Sequence, residues 1–190
     1  HLDTFALDAT TFEHRGQRYL LWAQQDVAQT YNSALWIAAM DGPTKIKGTP
    51  VKLSEPTLPW ETQGYKVNEG PAVLVKHGRV LVTYSASATD HRYAMGLLWA
   101  DANADLLNPA SWQKRAEPVF ASDAALKRFG PGHNSFVLAE DGVTDLMLYH
   151  ARDYKEIQGN PLQDANRHTR VRPLYWTDKG QLDFAQEKPD

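Results

Sequence analysis

Three stretches of the chain share one order of polar and apolar positions. Each begins with a polar residue and continues through a short apolar run, a polar turn around a glycine and a second apolar run; a third apolar run follows. The stretches are LDATTFEHRGQRYLLWA from Leu7, NEGPAVLVKHGRVLVTYSA from Asn68 and GHNSFVLAEDGVTDLMLYHA from Gly132. Val, Leu, Tyr and Trp dominate the runs and helical periodicity is weak, so the pattern predicts short β-strands joined by tight turns.

The spacing of the stretches predicts a repeat. Their opening polar residues are Asp8, Glu69 and His133, which lie 61 and 64 positions apart. A repeat of this length built from short strands is typical of a β-propeller blade, whereas a β-sandwich, the alternative, would not require it. We therefore predict an all-β chain that covers about three blades of a five-bladed propeller. The predicted partial domain is 1–190, with blade-like repeats at about 5–60, 66–125 and 130–190.

The same repeat predicts where the three polar residues lie. The first strand of a propeller blade lines the central axis, so Asp8, Glu69 and His133 are expected to converge at one mouth of the channel. Propellers usually have about four to eight blades, and three do not close a ring. We expect further N-terminal blades or a second chain to supply the remainder.

Composition excludes several classes of function. The chain has 190 residues, 42% of them hydrophobic, which suits one folded domain. Its net charge of −3, with acids and bases interspersed, argues against nucleic-acid binding. It contains no cysteine, which excludes disulfides and thiolate catalysis, and its longest apolar run, residues 34–40, is too short to cross a membrane.

Two carboxylates and an imidazole at one cleft suit glycoside hydrolysis. One carboxylic acid protonates the leaving oxygen while another carboxylate activates water or attacks carbon, and a further acid raises the pKa of the first by like-charge repulsion. The alternative is that Asp8 and Glu69 only bind turn amides at strand ends. Their related places in the repeat favour the catalytic interpretation.

Three short segments resemble signature segments of a known family. FALDATTF, VNEGPAVL and GPGHNSF are similar to those of glycoside hydrolase family 43, the five-bladed arabinofuranosidases, arabinanases and β-xylosidases. The resemblance extends over the whole chain, and LSEPTLPWE, TYSASATDHRYAMGLL and NRHTRVRPLYW look closest to its exo-acting α-L-arabinofuranosidases. A related clan that acts on fructosides typically carries its acid beside a cysteine, and this chain has none.

The resemblance implies roles for individual residues. Glu69 would be the general acid, and Asp8 would raise its pKa and orient it. His133 would lie on the propeller axis, where the family often holds calcium or water; because calcium prefers oxygen ligands, any ion is expected to be bound through water. The family's general base would lie about two blades before Asp8, outside this sequence.

Two further residues are candidates for binding the sugar. Arg170 is predicted to reach the pocket and bind sugar hydroxyls, with a surface salt bridge as the alternative. Trp60 is predicted to stack on a sugar face, with an anchoring role in its loop as the alternative.

The expected function is release of terminal α-L-arabinofuranose from arabinan or arabinoxylan by an inverting mechanism, and the implied partner is an arabinose-containing oligo- or polysaccharide. The alternative is a non-catalytic sugar-binding or structural propeller segment that assembles with a second polypeptide. Members of the family are often secreted, so a secreted or periplasmic location is expected.

Overall fold

A computed structural model describes residues 4–190 as a series of antiparallel sheets in which strand order follows chain order. The first sheet contains β1 (Ala6–His14), β2 (Gln17–Gln24), β3 (Ala34–Met40) and β4 (Ile46–Ser54). The second contains β5 (Asn68–Lys76), β6 (Arg79–Ala86), β7 (Ala94–Asp101) and β8 (Gln113–Lys114). The third contains β9 (Phe129–Leu138), β10 (Asp145–Arg152) and β11 (His168–Pro173), followed by a hairpin of β12 (Tyr175–Trp176) and β13 (Leu182–Asp183). Three short 3₁₀ helices lie at Pro59–Glu61, Pro109–Ser111 and Pro161–Gln163.

The all-β prediction is confirmed, and the sheets are arranged as part of a propeller. The first strands of the three sheets, β1, β5 and β9, lie side by side, with β5 in the middle. The apolar pattern does not predict β4, because this edge strand is half exposed and contains both a glycine and a proline, which edge strands tolerate. Within residues 4–190, no helix is long and apolar enough to cross a membrane.

Two apolar layers hold the sheets together. Between the first and second sheets, Leu21, Leu35 and Ile37 pack with Val80 and Val82. Between the second and third sheets, the packed residues are Leu81, Met95, Leu97, Met147 and Tyr149. The second sheet is therefore covered on both faces. This is why β6 is a nearly continuous apolar run rather than an alternating one.

A β-bulge interrupts each of the first strands at the same place. In β1, β5 and β9 the register with the next strand shifts by one residue, so two residues oppose one. In each case the residue of the next strand that lies opposite the bulge is aromatic. The first residue of each bulge has a positive φ: 57° at Asp8, 57° at Gly70 and 50° at His133. Asp and His tolerate this conformation better than most residues, and such strain concentrates at functional sites.

The bulges correct the sequence alignment by one residue. Gly70, and not Glu69, is the counterpart of Asp8 and His133. Glu69 occupies the position before the bulge, where the other repeats have Leu7 and Gly132. It also lies inside β5 rather than ahead of the strand. The apolar pattern concealed this offset, because a bulge adds a residue without changing which residues look apolar.

Candidate active site

Asp8 and Glu69 are brought together across neighbouring strands. Asp8 Oδ2 accepts a hydrogen bond of 3.0 Å from the backbone N–H of Gly70, the residue that follows Glu69. Its other oxygen, Oδ1, lies 3.7 Å from Nε2 of His133. The Asp8 carboxylate is thereby tied to the backbone next to Glu69 and faces the imidazole contributed by β9. Asp8, Glu69 and His133 therefore converge, although their positions in the repeat are not identical.

Glu69 has the environment expected of an acid that stays protonated. Its side chain is half-buried, and Tyr93 donates a hydrogen bond of 2.7 Å to its Oε1. Burial raises the pKa of Glu69, and the negative charge of Asp8 adds to the increase. The hydrogen bond from the Tyr93 hydroxyl and the positive charge of Arg167 oppose it. The net direction is upward, towards the range in which a carboxyl group donates a proton near neutral pH.

Tyr93 is held by close packing on both sides of its ring. The ring stacks on His150 with centroids 5.7 Å apart and planes 10° from parallel. It also lies against Gly132, where any Cβ atom would overlap the ring. The side chain is 1% exposed. The tyrosine hydroxyl therefore has one well-defined position, from which it contacts Glu69.

Replacing Tyr93 by Phe should move the pH profile. The Tyr93 hydrogen bond lowers the pKa of Glu69, so its removal should raise that pKa and keep the acid protonated to higher pH. The alkaline limb of kcat/KM is therefore expected to shift to higher pH. A pH–rate series on wild type and Tyr93→Phe measures the shift. If the alkaline limb stays in place, or moves to lower pH, the hydrogen bond from Tyr93 does not lower the pKa of Glu69.

His150 is an unusual buried imidazole. Both of its ring nitrogens are buried and lack a hydrogen-bond partner among residues 4–190. Burial, together with the positive charges of Arg167, His133 and Arg152, lowers the pKa of His150 from 6.5 to about 4. The side chain is therefore neutral at physiological pH, and it supports the Tyr93 ring without adding charge near Glu69.

This neutral imidazole should make folding sensitive to acid. Between pH 6.5 and about 4 the unfolded state binds a proton at His150 and the folded state does not, so stability falls as pH falls. The difference corresponds to at most about 3 kcal/mol. Urea unfolding of wild type and His150→Gln at pH 7 and pH 4 should show a larger acid loss for wild type. Equal losses would mean that the pKa of His150 is ordinary.

Behind Glu69, a fully buried carboxylate organises the start of β5. Glu61 is 0% exposed and lies 2.7 Å from the ammonium of Lys114. It accepts hydrogen bonds from Tyr84 (2.8 Å) and from the Asn68 side chain (3.1 Å), and Asn68 in turn accepts one from Ser54 (2.7 Å). The residue before Glu69 is thus fixed by a buried network. The sequence pattern did not single out Glu61.

Arg170 does not contact Glu69 in the structure. Its guanidinium pairs with Asp153 at 2.6 Å and with Asp190 at 3.0 Å, and it donates to the backbone oxygen of Lys127. These contacts correspond to the salt-bridge alternative. Arg167 instead lines a cavity with His133 and His150, and its positive charge lowers the pKa of Glu69.

Arg167 lies at the end of the third sheet at which β9 and β11 both begin. β11 runs parallel to β9, since both pair antiparallel to β10. The starts of β9 and β11 therefore lie at the same end of the sheet. Arg167 directly precedes β11, whereas Arg170 lies in its middle.

Trp60 is placed as an anchor. Its indole N–H donates to the backbone oxygen of Ala116 at 2.9 Å, and its ring stacks on Tyr84 with centroids 6.0 Å apart. It packs against the apolar layer between the first two sheets. These contacts fit the loop-anchor alternative, and the stacking of Trp60 on a sugar stays a prediction.

The calcium prediction at His133 receives no support from side-chain ligands. Within the part of the chain that the structure describes, no group of three or more His, Asp or Glu side chains could hold a metal ion. One imidazole and the Asp8 carboxylate do not form an oxygen cage of the kind that calcium prefers. The residues therefore do not fit a directly bound calcium ion, and an ion held at His133 through water stays a prediction.

Comparisons with known proteins show the family to which the chain belongs. The family description "Glycosyl hydrolases family 43" matches residues 1–182. The chain is 56% identical to an α-L-arabinofuranosidase 43 of Humicola insolens, over 99% of this chain and 39% of the relative. It is 54% identical to an extracellular exo-α-(1→5)-L-arabinofuranosidase of Streptomyces avermitilis, over 96% of this chain and 38% of the relative. It thus spans about two-fifths of the length of these curated relatives.

Solved structures show the same similarity. A crystal structure of an α-L-arabinofuranosidase from Lactobacillus brevis superimposes with a TM-score of 0.96 at 54% identity, over 99% of this chain and 58% of that protein. A thermostable family-43 glycoside hydrolase superimposes with a TM-score of 0.82 at 25% identity, over 100% of this chain and 61% of that protein.

Proposed function

Because the chain belongs to glycosyl hydrolase family 43, we propose that it forms part of a glycosidase that removes terminal α-L-arabinofuranose with inversion of configuration. The observation that carries the proposal is the environment of Glu69. A half-buried carboxyl group with a raised pKa is held by Tyr93 on one side, with Asp8 next to it on the adjoining strand. This is the arrangement that a general acid requires.

In the proposed reaction Glu69 donates its proton to the glycosidic oxygen as the bond from that oxygen to the anomeric carbon breaks. Tyr93 binds Oε1, so Oε2 is the oxygen that carries the proton towards the substrate. A base outside this sequence removes a proton from water, whose oxygen bonds to the anomeric carbon from the opposite face. The products are free arabinose and a leaving sugar with a new hydroxyl group.

Asp8 and Arg167 are proposed to assist without exchanging protons. Asp8 raises the pKa of Glu69 and, through the N–H of Gly70, restrains the backbone that carries it. Arg167 replaces Arg170 as the proposed sugar-binding arginine, since it lines the cavity with His133 and His150. Its guanidinium offers several donors for sugar hydroxyls.

The relatives support a proposal for the substrate and the location. The Streptomyces avermitilis relative is named as an extracellular enzyme that acts on α-(1→5)-linked arabinofuranose. We extend both properties to this protein: the substrate is an arabinose-containing oligo- or polysaccharide, and the protein is secreted. The N-terminal blades that carry the base come from additional sequence or from a second chain.

Hydrolysis of a panel of p-nitrophenyl glycosides tests the activity in the polypeptide that carries this chain. Release from the α-L-arabinofuranoside, with little from the β-D-xyloside, is the expected result. Proton NMR of the first product should show the β-anomer of arabinose, because the mechanism inverts. Release of the α-anomer would contradict inversion. Absence of hydrolysis, with sugar binding retained, would favour the alternative of a non-catalytic sugar-binding segment.

A further inference from the structure

One fully buried arginine lies behind the candidate site. Arg152, the last residue of β10, is 1% exposed and has no part in the proposed reaction. A buried guanidinium lowers stability unless its charge and its N–H groups are matched, so its partners show what it holds in place. Arg152 directly precedes the rim segment, residues 153–167, which joins β10 to β11.

The guanidinium of Arg152 joins the rim segment to a loop of the second sheet. Nη1 donates a hydrogen bond of 2.7 Å to the backbone oxygen of Thr89, in the connection between β6 and β7. Nη2 donates one of 2.9 Å to the backbone oxygen of Pro161, in the rim segment. Nε lies 3.3 Å from Oδ2 of Asp164, an ion pair without a hydrogen bond at that nitrogen. One side chain therefore bridges two loops that belong to different sheets.

Asp164 is also the centre of the bonds inside the rim segment. The Tyr154 hydroxyl lies 2.8 Å and 2.9 Å from its two carboxylate oxygens, and the backbone N–H of Asn166 donates to Oδ1 at 2.9 Å. The Asn166 side chain in turn donates to the Tyr154 hydroxyl at 2.9 Å. Because Arg152 pairs with the same carboxylate, it holds an internally bonded segment as a unit.

Both loops carry groups of the candidate site. The β6–β7 connection ends in Tyr93, whose hydroxyl donates to Glu69, and the rim segment ends in Arg167, which lines a cavity with His133. The β6–β7 connection is closely packed, since any Cβ atom at Gly130 of β9 would overlap its backbone. It is therefore a fixed support to which Arg152 can attach the rim segment.

We propose that Arg152 is a positioning residue, which holds the rim segment against the β6–β7 connection and thereby sets where Arg167 lies relative to Glu69. The inference rests on the proposed function, in which Arg167 binds the sugar. Without Arg152, the rim segment keeps its bonds around Asp164 but loses its attachment to Thr89. Arg167 then has more positions to lose when sugar binds, so the cost falls on binding.

Replacement of Arg152 by Met tests this role, because Met keeps most of the apolar stem and removes every N–H group. In the polypeptide that carries this chain, KM for p-nitrophenyl α-L-arabinofuranoside should rise about 10-fold and kcat should change less than about threefold, the pattern for lost binding that substrate and transition state share. Hydrogen exchange read by mass spectrometry should become faster in residues 154–166 and stay unchanged in β5.

Another buried arginine provides the matched control. Arg172, on β11, is also 1% exposed, and it donates to the backbone oxygen of Ala185 at 2.7 Å rather than to the rim segment. Arg172→Met should destabilise the protein as Arg152→Met does, but it should leave KM and the exchange of residues 154–166 close to wild type. Arg152→Lys keeps the charge and should recover part of the lost affinity.

Asp164→Asn breaks the ion pair from the other side without emptying the buried position, so it tests the inference even if Arg152→Met does not fold. It should raise KM and speed exchange in residues 154–166, each to a smaller extent. An active wild type whose Arg152 and Asp164 variants keep KM, or whose Arg172→Met raises KM equally, would overturn the positioning role while leaving the proposed function intact. A wild type that hydrolyses no arabinofuranoside would overturn the proposed function and the positioning role with it.

Discussion

Replacement of Glu69 by Gln is expected to lower kcat for 1,5-α-L-arabinobiose by about 10²–10⁴-fold, the usual contribution of a general acid. Gln has the size of Glu and can still accept the Tyr93 hydrogen bond, but it has no acidic proton for the leaving oxygen. Steady-state release of arabinose, measured in the polypeptide that carries this chain, gives the effect.

The nature of the leaving group provides an internal control. A p-nitrophenolate departs with little need for protonation, so Glu69→Gln should lose much less activity on the p-nitrophenyl arabinofuranoside than on arabinobiose. Glu117→Gln, at an exposed position, should behave as wild type on both substrates. Full activity of Glu69→Gln on arabinobiose would show that another group protonates the leaving oxygen.

Replacement of Glu61 by Ala is expected to lower the free energy of unfolding by about 3–5 kcal/mol, which is typical when one partner of a buried ion pair is removed. The change leaves the ammonium of Lys114 unpaired and deprives Tyr84, Asn68 and two backbone N–H groups of their acceptor. Urea denaturation followed by circular dichroism measures the loss.

A double-mutant cycle separates the charge from the packing. Glu61→Gln keeps the shape and one acceptor oxygen, and Lys114→Met removes the ammonium while keeping most of the stem. Each single change should be destabilising, because it leaves the other charge unmatched. The double variant leaves no unmatched charge, so it should cost less than the sum of the two single changes. Strictly additive losses would show that the two charges are not coupled, and a loss below about 1 kcal/mol for Glu61→Ala would show that the network contributes little to stability.

The sequence predicted more of the site than a pattern of apolar runs normally allows. The alternating runs predicted the strands because each strand buries residues at a fixed period. The short segments around Asp8, Glu69 and His133 indicated the family, and the structure brings these three residues together. Their catalytic roles stay predictions until the substitutions are measured.

The residues that sequence analysis missed share one property. Tyr93 and Glu61 bind residues on other strands, and Arg167 lines a cavity with residues of β9 and β10, so no local motif marks them. Trp60 and Arg170 are predicted to bind the sugar from their residue types and from their places, in the loop before Glu69 and on the third strand of the last repeat. In the structure both side chains contact residues that are between 17 and 56 positions away along the chain. Trp60 contacts Ala116 and Tyr84, and Arg170 contacts Asp153 and Asp190.

By itself, the sequence determined the all-β class, the family and the identity of the proposed acid, because these depend on periodicity and on short contiguous segments. Only the tertiary structure decided the one-residue offset that makes Gly70, and not Glu69, the counterpart of Asp8 and His133. Side-chain direction in a strand reverses at every residue, and a bulge changes that direction without changing composition. The side chain that faces the channel therefore depends on the register between the first strand of each sheet and the strand next to it, and the sequence of the first strand alone does not give that register.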